Sequence, residues 1–130
     1  MSLPLTKKDF EPMSDLTFKT FQSASIQRCL EVWPNEKDRS IDHWIHCIGK
    51  EFGELQEILV ARDSTKYDAL SIREMVANIS DLEKNIFKEL ADITAYIALA
   101  YSCLKGDMGA EVSDKFNEVN RRMNYQGHDL

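Results

Sequence analysis

Glycine and proline are scarce: the 130 residues hold five glycines and three prolines. The prolines stand at Pro4, Pro12 and Pro34, and no glycine lies between Gly53 and Gly106. A β fold of this size needs many tight turns, and turns draw on those two residues. The chain therefore reads as all-α, with few and long helices. Positive charge is also in deficit. Sixteen Lys and Arg stand against 22 Asp and Glu, a formal net charge of −6, which suits neither nucleic acid nor an anionic membrane surface. No apolar run approaches the roughly 20 residues that cross a bilayer, and Met1–Lys8 lacks the apolar centre of a signal peptide. Cysteine is limited to Cys29, Cys47 and Cys103. An odd number at wide spacing points to reduced thiols in a cytoplasmic protein rather than a disulfide framework. The remaining composition, 43% apolar and 29% charged, is that of an ordinary globule one domain long.

Apolar periodicity and capping signals predict a single four-helix domain over residues 1–130, with 1–13 as a loosely packed or flexible N-terminal segment. The first helix is expected over Asp15–Trp33, with Ser14 as N-cap and Pro34 just past its end. The second runs over Ile41–Arg62, capped by Ser40, and the polar stretch Asp63–Asp68 reads as a loop. Two capping-box patterns follow, at Ser71–Glu74 and Ser80–Glu83. The first predicts a short helix and the second the start of the third main helix, Asp81–Lys105, stopped by Gly106. The fourth spans Ala110–Asn124, ending before Gly127 and leaving a loose polar tail.

Carboxylates occupy positions where apolar residues belong. At about 100° per residue, Ile45, Ile48, Phe52, Leu55 and Leu59 share one face of the second helix. Glu51 falls inside the apolar arc, between Trp44 seven residues before it and Ile58 seven after it; Glu54 lies on the edge and Glu57 faces away. The third helix repeats the anomaly. Its stripe is Ile86, Leu90, Ile93, Ile97, Ala100 and Leu104, Glu89 falls between Leu82 and Tyr96, and Asp92 sits beside it. Burying an unpaired carboxylate costs several kcal/mol, so such groups are paired with Lys or Arg, protonated, or bound to a metal. The i, i+3 spacing of Glu51/Glu54 and of Glu89/Asp92 sets two carboxylates on one face of each helix. Two such helices side by side would gather four oxygen donors, a site for Mg2+ or Mn2+ rather than zinc. A buried salt-bridge network is the alternative this pattern leaves open.

Other chemistry finds little support. His43 and His46 lack the HExxH frame or cysteine pair of a zinc site and read as exposed or capping. No Glu-x-x-His pair supports a di-iron bundle. No glycine-rich phosphate loop or nucleophile elbow is present.

The run Lys50-Glu51-Phe52-Gly53-Glu54-Leu55, followed by Glu89-Leu90-Ala91-Asp92, resembles the ExxE…ExxD signature of the MazG-like all-α nucleoside triphosphate pyrophosphohydrolases. Arg28-Cys29, Asp42-His43-Trp44 and Lys115-Phe116-Asn117-Glu118-Val119 add to the likeness, which runs from about Ile26 to the C-terminus. The resemblance implies a four-helix core assembled into dimers or tetramers. It implies Mg2+-dependent cleavage of a nucleoside triphosphate to monophosphate and pyrophosphate, in the service of nucleotide-pool housekeeping. Glu51, Glu54, Glu89 and Asp92 become the metal ligands, with Glu51 or Glu54 taking the proton of the attacking water. Tyr96 matches an aromatic of the nucleotide pocket, and Lys115, in the motif that holds Asn117, a phosphate contact. The chain departs from the pattern at Lys50, where an acid or glycine is usual, and at Val119, where some members carry Arg; Arg122, on the same flank as Lys115, offers a second cation. Trp33, Trp44, Tyr96 and Phe21 are candidates to stack on a base, and Gln22 and Ser25, in the apolar arc of the first helix, to read its edge. The contrasting expectation is a catalytically idle helical bundle that binds nucleotides or regulates a partner.

Overall fold

The computed structural model describes residues 6–10, 13–68 and 72–130. Most of the expected N-terminal segment, residues 1–5, 11 and 12, lies outside them. Thr6 caps a short 3₁₀ helix at Lys7–Phe10 through Asp9. Four helices follow: α1 (Phe18–Val32), α2 (Ile41–Asp68), α3 (Ile72–Cys103) and α4 (Met108–Arg122). No strand occurs among the described residues, and none of the helices is long and apolar enough to cross a membrane.

The boundaries show which local signals win. Thr17, not Ser14, caps α1, its hydroxyl accepting from the Thr20 amide at 3.1 Å. Ser14 instead accepts from Leu16 two residues on. The expected loop Asp63–Asp68 is the last turn and a half of α2. It contains neither glycine nor proline, and extending a formed helix is far cheaper than nucleating one. The same reasoning removes the break at Ser80, which lies inside one continuous α3. The other capping box begins at Ser71, outside the described residues. At about 1.5 Å per residue, α2 and α3 form an antiparallel hairpin more than 40 Å long.

Gly106 does not supply the left-handed residue that stops α3. Lys105 does, at φ 56°. The amide of Gly106 then bonds the Tyr101 carbonyl at 2.8 Å and that of Lys105 the Ser102 carbonyl at 2.9 Å, the paired bonds of a Schellman end. Asn124, at φ 53°, closes α4 in the same way onto Asn120 and Arg121. The tail beyond it is pinned rather than loose. Asn117 exchanges two hydrogen bonds with the Leu130 backbone, and Asn120 donates to the His128 carbonyl.

A small core of Cys29, Trp44, Leu99 and Ala100 joins α1, α2 and α3. Gln22 fastens α1 to the α3–α4 corner. Its amide nitrogen donates to the Ser102 hydroxyl (3.1 Å) and the Gly106 carbonyl (2.9 Å), and its oxygen accepts from the buried Met108 amide (2.9 Å). Among the described residues α4 packs on α1 and α3, not on α2. The expected apolar stripes are only partly inside. Leu55 and Ala100 are buried, but Ile45, Phe52, Leu90 and Leu104 stand exposed, because α2 and α3 turn their acid-bearing faces toward each other.

Candidate active site

Residues 44, 47, 51 and 54 climb one face of α2 in steps of three and four, and residues 89, 92, 96 and 99 do the same on α3. The antiparallel hairpin brings the two faces together. Carboxylate oxygens of Glu51, Glu54 and Glu89 lie within 4.8 Å of one another. Asp92 is not in that trio; it is more exposed and lines a neighbouring cavity together with Glu51. Among the described residues no Lys or Arg pairs with any of the four acids. Neither Lys50 nor Lys88 reaches them, so the salt-bridge alternative has no support in the structure.

Crowding of like charges leaves a clear electrostatic mark. The Glu51 carboxyl holds its proton above the ordinary value of 4.5, first because of its hydrogen bond with Glu89, then through burial and the nearby charge of Asp92. One oxygen of Glu89, Oε2, is buried with no hydrogen-bond partner. Three converging carboxylates with an orphaned buried oxygen, and no cation paired with them among the described residues, could hold a hard divalent ion that prefers oxygen donors.

The cavity beside Glu51 has a volume of about 570 Å3. Ala95, Tyr96 and Leu99 of α3 form one wall, and Trp44 and Cys47 of α2 the other. Tyr96 lies 6.3 Å from Trp44, ring centre to ring centre, at 34°. Trp44 is buried and belongs to the core as well, so it both fills space and faces the cavity. Burial, with the charges of Cys47, Glu51 and Asp92, pushes the Tyr96 hydroxyl up. Burial, with Glu36, also raises the Cys47 thiol, which is therefore protonated near neutrality and no nucleophile.

Four lining residues with polar or ionisable side chains were given no site role by the sequence: Arg28, Glu36, His43 and Cys47. Cys47 was within reach, since it lies three residues after Trp44 on the acid-bearing face. His43 is half-buried, unlike the exposed His46. Its ring packs edge-on to Trp44 at 4.7 Å, and its Nε2 lies 3.0 Å from Glu36. Glu36 also receives Arg39 at 2.9 and 3.3 Å. Arg28 and Glu36 come from α1 and the α1–α2 loop, and only tertiary packing brings them here.

Several expected contacts are absent from the cavity. Gln22 is wholly engaged at the α3–α4 corner, and Ser25 is buried on the same face of α1. Asn117 is occupied by the chain's own tail. Lys115 pairs with Glu118 at 3.3 Å and Arg122 with the same carboxylate at 4.0 Å. Both belong to α4, which packs away from α2. Phe21 is half-buried and lines no part of the cavity, whereas Trp33 does. No known protein-family model, curated protein or solved structure matches the chain.

Proposed function

We propose that this protein is a Mg2+-dependent hydrolase that splits a nucleoside triphosphate, ribo or deoxy, into nucleoside monophosphate and pyrophosphate. The observation that carries the reading is the cluster of Glu51, Glu54 and Glu89, with no basic partner among the described residues, whose Glu51 also borders an aromatic-walled cavity. A Mg2+ or Mn2+ ion held by these three, with Asp92 beside them, would offset phosphate charge and lower the pKa of bound water. The chain's own groups supply the rest. Trp44 and Tyr96 offer ring faces against which a base can stack. Glu51 or Glu54 accepts the proton of the attacking water. Water adds at the α-phosphorus, and the bond to the bridging oxygen breaks, so that oxygen leaves with pyrophosphate. The resemblance in the ExxE and ExxD segments supports the same reading; the α4 cations of a single chain do not contribute to it.

The test is pyrophosphate release over a panel of standard and modified nucleoside triphosphates, with Mg2+ and with EDTA. Mg2+-dependent release of pyrophosphate is expected for at least one of them. Melting runs in parallel, since a ligand that binds only the folded chain must raise the midpoint. Nucleotides that raise the midpoint without any release of pyrophosphate would mark an idle nucleotide-binding bundle.

Self-association belongs to the proposal. Ile45, Phe52, Phe87 and Leu90 of the α2–α3 hairpin each expose 46% or more of their surface, and large exposed apolar surface marks an interface. Sedimentation at micromolar concentration should return a homodimer or homotetramer. The double change Phe52→Lys, Phe87→Lys should return single chains.

A further inference from the structure

With Gln22 bonded at the α3–α4 corner and Ser25 buried, the described lining of the cavity keeps a single Lys or Arg, Arg28. Arg28 lines it from α1, next to Cys29, which packs in the same core cluster as Trp44. Its guanidinium carbon lies 5.8 Å from the centre of the Trp33 ring. Arg39 and His43, by contrast, are both bonded to Glu36, whereas Arg28 has no carboxylate partner among the described residues. A guanidinium resting on an indole keeps its planar fork of N–H donors available at the edge.

Position along the cavity decides what that fork meets. Glu51 marks one end, and Trp44 lies seven residues away along α2, about 10 Å at 1.5 Å per residue. Cys29, the neighbour of Arg28, packs with Trp44, and Trp33 lies against Arg28, which puts both at the Trp44 end. If the carboxylate end takes the phosphates, as the proposed function has it, the base lies at the end where Arg28 stands. We infer that Arg28 selects a keto purine, of the guanine or hypoxanthine type. Such a base places two acceptors, O6 and N7, side by side to receive both prongs of the fork, whereas adenine sets an amino donor beside N7. Uracil offers no adjacent pair of acceptors. Cytosine does, through O2 and N3, but its single ring covers less of a wall built from Trp33, Trp44 and Tyr96.

Nucleosides without phosphate test this apart from catalysis. Inosine, adenosine and cytidine are titrated in EDTA, with tryptophan fluorescence as the signal. The carboxylate cluster has no phosphate to engage through a metal, so the result stands whether or not triphosphates are hydrolysed, and the pyrophosphate assay judges that question separately. Inosine should bind roughly tenfold more tightly than either competitor, the scale of one bidentate pair. Arg28→Lys, which keeps the charge and loses the fork, should bring inosine down to the level of adenosine and leave adenosine unchanged, as should Arg28→Ala. Equal affinities in the unaltered protein, no binding of any nucleoside, tightest binding of cytidine, or an equal loss for all three in the variants would each overturn the inference.

Discussion

Glu89→Gln is expected to lose pyrophosphate release by at least about a hundredfold and, without metal, to be more stable than the parent. The two effects share one cause. Glu89 is the carboxylate that raises the proton affinity of Glu51 most, and its own Oε2 is buried and unpartnered. Because the folded chain holds the Glu51 proton more tightly than the unfolded one, the stability from that group is complete below the ordinary value of 4.5 and fades as pH rises through the raised value. At neutral pH the metal-free cluster therefore opposes folding. An amide at position 89 removes one negative charge and can donate to Glu51. The melting midpoint in EDTA at pH 7 should rise, and its fall with pH above 4.5 should flatten. The same amide cannot offset the charge of a divalent ion, a contribution worth several kcal/mol, and each 1.4 kcal/mol is a factor of ten in rate. Mg2+ should thus stabilise the parent and leave the variant unmoved. Calorimetry at two pH values, with Mg2+ or EDTA, reads all of this. A variant that turns over normally, or that is less stable in EDTA, would remove Glu89 from the proposed metal site.

The acid faces were legible because helical periodicity is local. Seven-residue steps from Trp44 through Glu51 to Ile58, and from Leu82 through Glu89 to Tyr96, can be counted without knowing where either helix goes. The structure gathers Glu51, Glu54 and Glu89 as that count requires, and leaves Asp92 to one side. The all-helical class was legible for a similar reason, since residues that break helices are missing. The lengths of α2 and α3 were less so. Polar residues at 63–68 and a capping box at Ser80 suggest ends, yet neither stops a helix already formed when no glycine or proline intervenes. The rest of the cavity depends on contacts between distant segments. Nothing in the spacing of Arg28 says that it will lie against Trp33 and line this cavity, and nothing in the spacing of Lys115 says that α4 packs away from α2. The apolar stripes misled in an instructive way: the hairpin joins along its acidic faces, so the most hydrophobic pattern in the chain marks the core of a single copy only in part.

Gln22 tests the division between core and site most sharply, and Gln22→Leu is expected to cost about 3 kcal/mol of stability without changing KM. A polar residue in an apolar arc invites a ligand-reading role, and on sequence alone that role was open to Gln22. In the structure its one side chain makes three bonds to three residues of the α3–α4 corner, Ser102, Gly106 and Met108. Leucine fills similar space but leaves the Met108 amide without an acceptor at a site only 4% exposed, and the Gly106 carbonyl without its donor. Each buried group so abandoned costs about 1–3 kcal/mol. Gln22→Glu separates donor from acceptor. Its carboxylate still accepts from Met108 but cannot donate to Gly106, so the variant should fall between the parent and Gln22→Leu at neutral pH. It should recover as acid restores a proton that can be donated. Urea denaturation at pH 5 and pH 7 distinguishes the three proteins. A Gln22→Leu protein of parental stability with a raised KM would return this residue to the ligand and take it out of the scaffold. The expected opposite result would mean that α1 is held by a polar clasp, and that the position of Arg28, six residues further along the same helix, depends on it.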